Sequence, residues 1–91
     1  MEINFITQIW QEDKKYVAYT PELDVSSCGK TPREARKNLH EAVEIFLEET
    51  SKMGTLKDIL EESGFIKEKY NRKIRWQSPK IISTERERIE V

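Results

Sequence analysis

The sequence predicts a single α+β domain in which a three-stranded antiparallel meander is followed by a packed helix, a second short helix and a final strand. Within residues 3–28, three short segments alternate apolar and polar side chains and are joined by short links, a pattern typical of neighbouring antiparallel strands. A capped helical stripe follows at residues 31–54. The length of 91 residues fits one small domain with one core.

The first predicted strand spans residues 3–11. Its apolar side chains fall on both sides at period two, with Ile3, Phe5 and Ile9 on one side and Ile6 and Trp10 on the other. We therefore expect this strand to be central in its sheet or covered on its second face. Polar residues 12–15 predict a hairpin connection to a second strand at residues 16–20. Pro21 ends that strand because it has no N–H to donate, and a third strand follows at residues 25–28.

The helix after the meander has clear start and stop signals. Thr31 is the predicted N-cap, Pro32 lies at the first helical position, and Glu34 completes a capping box. Gly54 ends the helix. One stripe is apolar and faces the sheet: Ala35, Leu39, Ala42, Val43, Phe46 and Thr50. The opposite, solvated side includes Arg33, Lys37, Glu41, Glu44 and Glu48.

We divide the predicted domain into three parts. The core spans residues 3–50, a helical and basic extension spans residues 55–79, and a predicted C-terminal strand spans residues 80–91. Thr55 is expected to cap a short second helix that ends at Gly64. Residues 66–79 alternate aromatic and basic side chains and are compatible with a strand or with a loosely held arm. Isoleucine, threonine and charge alternate over the last segment, which predicts an edge strand pairing with its own sheet or with a second subunit.

Composition limits the class of protein. Hydrophobic and charged residues each make up 36% of the chain, so the core is expected to be thin and to gain from burial against another subunit or partner. A single cysteine, Cys28, cannot form an internal disulfide and favours a reducing compartment. No apolar run is long enough to span a bilayer, and no targeting segment is evident. We therefore expect a cytoplasmic protein without a membrane partner.

Charge is distributed unevenly beneath a net of −1. Residues 34–62 hold eight acids and four bases, a net of −4, whereas residues 67–80 hold six bases and one acid, a net of +5. The basic stretch is a candidate contact for nucleic acid or a partner, through Lys69, Arg72, Lys73, Arg75 and Trp76, because cations can meet phosphate while an aromatic ring stacks on a base. The alternative is a solvated connection whose cations balance the acidic helices.

Catalysis is not expected. His40 is the only histidine, so a pair of histidine metal ligands is impossible, and its position at the edge of the apolar stripe indicates a boundary residue. Cys28 lacks an evident base and oxyanion donor. With only three glycines there is no glycine-rich phosphate loop. We predict no catalytic, metal-binding or cofactor-binding residue.

The run from residue 16 to residue 49 resembles the core of the HicB family of antitoxins. In that family a strand ending in alanine, tyrosine and Pro-Glu-Leu is followed by Gly-x-Thr and by a helix with paired Glu-Ala around an asparagine. The matching residues are Ala18, Tyr19, Pro21, Glu22, Leu23, Gly29, Thr31, Glu34, Ala35, Asn38, Leu39, Glu41 and Ala42. The resemblance covers roughly residues 3–50 and implies a partial ribonuclease H-like fold.

The resemblance also implies a function. HicB-like domains bind a small HicA-like toxin, which cleaves mRNA, and bury its catalytic histidine. A toxin that binds RNA is expected to be basic, so the acidic helix residues Glu41, Glu44 and Glu48 are candidate partner contacts. HicB antitoxins commonly add a DNA-binding module after the core, but no pair of periodic helices follows Phe65 here, which argues against operator binding.

Two other functions fit the same residues. One is a stand-alone nucleic-acid-binding or regulatory module that uses the basic stretch at 67–80. The other is a HicB-like domain without a toxin, retained as a homo-oligomeric scaffold. A homodimer or larger homo-oligomer is expected in either the antitoxin or the scaffold case.

Overall fold

The computed structural model describes all 91 residues and has the mixed α+β architecture that the sequence predicts. Eight elements follow one another along the chain: β1 (Glu2–Asn4), β2 (Gln8–Glu12), β3 (Lys15–Thr20), β4 (Val25–Gly29), α1 (Pro32–Met53), α2 (Leu56–Glu62), β5 (Ile66–Tyr70) and β6 (Lys73–Gln77). The strands form two three-stranded sheets, in the orders β2–β3–β4 and β1–β6–β5. Neither helix combines the length and the apolar character that a membrane crossing requires.

The predicted antiparallel meander is the sheet of β2, β3 and β4. Glu12 pairs with Lys15 across a two-residue turn, where Asp13 adopts a left-handed φ of 53° that is more often supplied by glycine. Pro21 follows the last residue of β3, as predicted. The N–H of Asp24 then donates to the Pro21 carbonyl at 3.3 Å, which closes the bend before β4.

The single strand predicted over residues 3–11 is instead two strands. Residues 5–7 carry the chain from the sheet of β1 to the sheet of β2, and the N–H of Ile6 there donates to the Glu22 carboxylate at 2.9 Å. β1 pairs in parallel with β6, in the sheet that does not contain β3. Period-two alternation did not reveal the break because the apolar pattern continues through the connecting residues.

α1 begins and ends where the sequence predicts. The Thr31 hydroxyl accepts a hydrogen bond from the N–H of Glu34 at 3.0 Å, while the Glu34 carboxylate accepts one from the N–H of Lys30 at 3.3 Å. At the other end, Gly54 has a left-handed φ of 75° and its N–H bonds back to the last turn. The fully or nearly fully buried positions of the predicted stripe are Ala35, Leu39, Val43 and Thr50.

The second helix ends at its predicted glycine. Gly64 has a φ of 86°, and the N–H of Phe65 donates to the Leu60 carbonyl at 3.0 Å, which together form a Schellman closure with its hydrophobic contact. The predicted N-cap is wrong in detail: the Thr55 side chain makes no capping bond to α2. Its hydroxyl donates to the Thr50 carbonyl of α1 at 3.4 Å instead.

Beyond α2, residues 66–79 follow the strand alternative, and residues 80–91 differ from the prediction. Residues 66–77 form an antiparallel hairpin, whose turn residues Asn71 and Arg72 have φ values of 47° and 64°, the signs of a type I′ turn. Residues 78–91 contain no helix or strand, so the predicted pairing of residues 80–91 with their own sheet is wrong. The physical reason lies at the end of β6: after the bond from the N–H of Ser78 to the Asn4 carbonyl, Pro79 has no N–H with which to continue the ladder.

The core is as small as the composition predicts. Eleven of the 91 residues are buried. The hydrophobic ones form one cluster between the sheets and the two helices: Ala18, Leu23, Ala35, Leu39, Val43, Leu56, Leu60, Phe65 and Trp76. A domain with so few buried side chains depends on each of them, and it leaves several large apolar side chains at the surface.

Candidate functional site

The acidic side of α1 is the first candidate surface. Glu41, Glu44 and Glu48 are all exposed and are spaced by three and four residues, so they form one ridge of about 10 Å along the helix axis. None of the three carboxylates takes part in an ion pair. Ile45, which is 60% exposed, lies between them. We call these four residues the acidic ridge; it combines uncompensated negative charge with an exposed apolar side chain.

The charges at the two ends of α1 and those of the ridge differ in their relation to the helix dipole. Glu34 in the first turn and Lys52 in the last follow the favourable order, with an acid at the N-terminus and a base at the C-terminus. The effect of the dipole falls off within the first and last turns. Glu41, Glu44 and Glu48 lie between those turns, so the dipole does not account for their placement.

Two contacts hold α1, and with it the ridge, in place on the sheet. Gly29, the last residue of β4, allows the first turn of the helix to approach closely: a Cβ at this position would lie 2.6 Å from the Ala35 nitrogen and 2.8 Å from the Glu34 carbonyl carbon. One turn further on, the Asn38 side-chain amide donates to the Cys28 carbonyl at 2.8 Å. The acidic ridge faces solvent on the side of α1 opposite these contacts.

The uncovered face of the β2–β3–β4 sheet is a second surface, and the sequence did not indicate it. α1 packs on the face that holds Ala18. Alternation places Trp10, Val17 and Cys28 together on the other face, since they occupy paired positions across the three strands. Trp10 is 41% exposed. The signal was present in the alternation of the strands, but it could not be interpreted until the face taken by α1 was known.

A tyrosine–aspartate pair borders this open sheet face. The Tyr19 hydroxyl donates to Asp24 Oδ1 at 2.8 Å, and the Tyr19 ring packs edge-on against Trp10 with 6.1 Å between ring centroids. The hydrogen bond to Asp24 raises the pKa of Tyr19 above its ordinary value, with smaller contributions from burial and from the carboxylate charge. The pair fixes the turn after β3 and holds the aromatic rings in position.

Only some of the residues predicted to contact nucleic acid or a partner are exposed and unpaired. Lys69, Arg72 and Lys73 are exposed at the turn end of the β5–β6 hairpin, beside an exposed Tyr70. Arg75 is not free in the same way, because its guanidinium donates to Glu68 Oε2 at 2.7 Å and stacks 5.0 Å from the Tyr70 ring centroid. The hydrogen bond to Glu68 raises the pKa of Arg75 further.

The expectation that Trp76 stacks on a base is wrong. Only 3% of the residue is exposed, because β6 is the central strand of its sheet and Trp76 lies on the face toward the core, paired with Ile3 of β1. The Lys67 ammonium lies 5.9 Å from the centre of its ring. Alternation placed Trp76 on one side of a strand but could not tell which side is covered.

The residues considered for catalysis are dispersed. His40 is exposed, and its ring packs against Phe5 with 5.4 Å between centroids. Cys28 is exposed on the open sheet face. No group of three or more histidine, cysteine, aspartate or glutamate side chains is close enough to hold a metal ion.

Comparisons of the chain with protein-family models, with curated proteins and with solved structures found no match.

Proposed function

We propose that this protein is a HicB-like antitoxin, which binds a small, basic, mRNA-cleaving toxin of the HicA type and covers its catalytic surface. The observation that supports the proposal is the acidic ridge of α1, in which Glu41, Glu44 and Glu48 lie beside the exposed Ile45 without any internal ion pair. A ridge of this kind complements a basic, RNA-binding surface: the carboxylates steer association and Ile45 supplies apolar contact.

The dimensions of α1 are sufficient for inhibition by occlusion. The helix has 22 residues and is therefore about 33 Å long, comparable with the diameter of a small toxin. A stable interface buries on the order of 1,200–2,000 Å² in total, which α1 and its flanks can provide. Inhibition of this type needs no reactive group on the antitoxin, since substrate is excluded by the bound protein.

A charge-matched pair of variants tests the proposal. The ridge variant is Glu41→Gln/Glu44→Gln/Glu48→Gln. Its control, Asp58→Asn/Glu61→Gln/Glu62→Gln, removes the same three charges from α2, where all three side chains are also exposed. Each is mixed with the purified product of a short basic open reading frame adjacent in the genome, and binding is measured by calorimetry at low and high salt.

We expect the ridge variant to bind at least about tenfold more weakly, equivalent to about 1.4 kcal/mol, and to lose most of the salt dependence of binding. The control should bind within about threefold of the unmodified protein. In a cleavage assay the unmodified protein should suppress RNA degradation at one equivalent. Absence of a complex with any such product contradicts the proposal; equal weakening by both variants contradicts the role of the ridge.

The β5–β6 hairpin supports a second candidate, a nucleic-acid-binding module. Lys69, Arg72 and Lys73 are exposed there around Tyr70, a residue that is 58% exposed and whose ring face away from Arg75 can stack on a base. This function predicts salt-sensitive binding of single-stranded RNA or DNA oligonucleotides that weakens when the three cations are replaced by glutamine. Replacement of Trp76 is not a suitable test, because the loss of a buried side chain would destabilise the fold.

A further inference from the structure

The segment at residues 80–91 has the composition of a strand and no strand partner. It contains no helix or strand, and every residue in it is exposed. Its isoleucines are among the most exposed large apolar side chains of the molecule: Ile81 is 48% exposed, Ile82 86% and Ile89 85%. Isoleucine and threonine favour strands, and such side chains are normally withdrawn from water. The segment is therefore suited to pairing with another surface.

The segment cannot readily continue onto its own sheet. The N–H of Ser78 donates to the Asn4 carbonyl at 3.0 Å, which extends the β1–β6 pairing by one residue. Pro79 follows, has no N–H for a ladder, and is packed against Gly64. On the facing strand, the N–H of Ile6 is already bonded to Glu22. The ladder is thus interrupted on both strands before residue 80.

One sheet edge of the fold is unprotected. The β4 edge is covered where Asn38 bonds the Cys28 carbonyl. The β5 edge carries the charged side chains of Lys67 and Lys69, which deter pairing. β1 has only three residues. β2, in contrast, is exposed at all five positions and uncharged over residues 8–11.

The backbone of β2 is oriented for a further strand. Because Glu12 and Lys15 close a two-residue hairpin, alternation directs the N–H and C=O groups of Ile9 and Gln11 away from β3, toward solvent. These groups form an open ladder. Ile9 is 39% exposed and Trp10 41% exposed, so a strand added at this edge would also cover apolar side chains.

We propose that residues 80–91 of one copy form a strand on the outer edge of β2 of a second copy, and that the exchange is reciprocal about a two-fold axis. Each copy contributes twelve residues of the distal segment and the five residues of β2, seventeen in all, which is just below the range of about 20–30 residues per side of a stable interface. Residues 80–91 extend up to about 40 Å, enough to reach a neighbouring molecule. A closed pair of contacts gives a discrete dimer, because both distal segments and both β2 edges are then occupied.

Two variants of the full chain test this proposal separately at the strand and at the edge. Ile82→Pro/Thr84→Pro prevents residues 80–91 from forming a ladder, and Ile82→Val/Thr84→Val is its control because valine retains strand propensity. Gln11→Pro removes an outward N–H of β2 without breaking a bond to β3, and Gln11→Thr is its control. Circular dichroism establishes that each variant is folded, and sedimentation equilibrium at tens of micromolar gives the mass.

The unmodified chain and both controls are expected at twice the chain mass of 10.8 kDa, and both proline variants at the chain mass. A mixture of the two proline variants should form a weaker heterodimer, since one intact segment meets one intact edge. A monomeric unmodified chain overturns the proposal, as does a dimer of the Ile82→Pro/Thr84→Pro variant. If Gln11→Pro is folded and dimeric, or if the mixture stays monomeric, the assignment to the β2 edge is wrong.

Discussion

Replacement of Gly29 by alanine is the sharpest test of how α1 is held on the sheet. The added Cβ would lie 2.6 Å from the Ala35 nitrogen, 2.8 Å from the Glu34 carbonyl carbon and 2.9 Å from the Glu34 Cβ. Two of these atoms are backbone and the third is attached to it, so no side-chain rotation relieves the contact. The first turn of α1 must shift by up to about 0.8 Å to reach the ordinary contact distance of 3.4 Å.

The size of the effect follows from two opposing terms. Overpacking of a closely fitted site costs about 1–3 kcal/mol, and the shift also strains the packing of Ala35, which is fully buried. Alanine restricts the unfolded chain more than glycine does, which returns about 0.4–1 kcal/mol. We therefore expect the free energy of unfolding to fall by about 1–2 kcal/mol. For a domain of this size that lowers the Tm by about 5–15 °C.

Urea unfolding followed by circular dichroism measures this difference directly. The matched control is Cys28→Ala, which alters the neighbouring, exposed position and should leave the free energy of unfolding within about 0.5 kcal/mol of the unmodified protein. If Gly29→Ala also leaves the free energy of unfolding within about 0.5 kcal/mol, with an unchanged m-value, then α1 does not approach β4 as closely as the structure has it. The explanation of the Gly-x-Thr pattern by close packing would then be wrong.

Three further predictions concern single side chains. Thr31→Ala removes the acceptor for the N–H of Glu34 and should cost about 0.5–2 kcal/mol in urea unfolding, while Thr31→Ser should restore most of that loss. Thr20→Val should raise the Tm, since the buried Thr20 hydroxyl has no hydrogen-bond partner and valine fills the same space without an unsatisfied polar atom; a lower Tm would indicate an undetected partner. In a tyrosinate absorbance titration, Tyr19 should ionise at higher pH than an ordinary tyrosine because of Asp24, and Asp24→Asn should reduce the difference. The raised pKa of Tyr19 also makes the stability of the fold depend on pH. The stabilisation is complete at pH values below the pKa of tyrosine in the unfolded chain. It is lost as the pH rises through the higher pKa of Tyr19 in the folded protein.

Local signals in the sequence predicted the helices well. Thr31, Pro32 and Glu34 determined the start of α1, and the two glycines at 54 and 64 determined the ends of both helices, because caps depend on residues within one turn. The meander was also predicted, since alternation and Pro21 act locally. These signals determine the conformation of a short segment, but they do not show which other segments pack against it.

The wrong predictions share one physical cause: the residues within a segment do not show which distant segment it pairs with. The chain breaks at residues 5–7 because β1 pairs with β6. In that pairing Asn4 lies opposite Gln77, which is some seventy positions away in the sequence. The type I′ turn at Asn71 and Arg72 was missed because arginine rarely takes a left-handed φ. Residues 80–91 have strand composition, yet composition does not show whether a partner edge lies in the same molecule.

Gly29 shows what the structure adds to a pattern in the sequence. In the sequence, the glycine is part of the Gly-x-Thr pattern that resembles HicB antitoxins, and the pattern does not say why a glycine is needed. In the structure, a glycine is needed here because any side chain would collide with the first turn of α1. The position therefore specifies the distance between helix and sheet, and this distance sets where the acidic ridge lies.

The two proposals use different sides of the molecule, which makes their failures separable. The acidic ridge lies on the solvent side of α1, whereas the β2 edge lies at the margin of the sheet beneath it. An exchange of residues 80–91 would therefore leave both ridges of a dimer free, and a basic partner should bind with two molecules per dimer. The Ile82→Pro/Thr84→Pro variant should still bind one partner molecule per chain, with an affinity close to that of the unmodified protein. If it loses the partner together with the dimer, the partner site spans both copies, and the ridge of a single chain is insufficient for recognition.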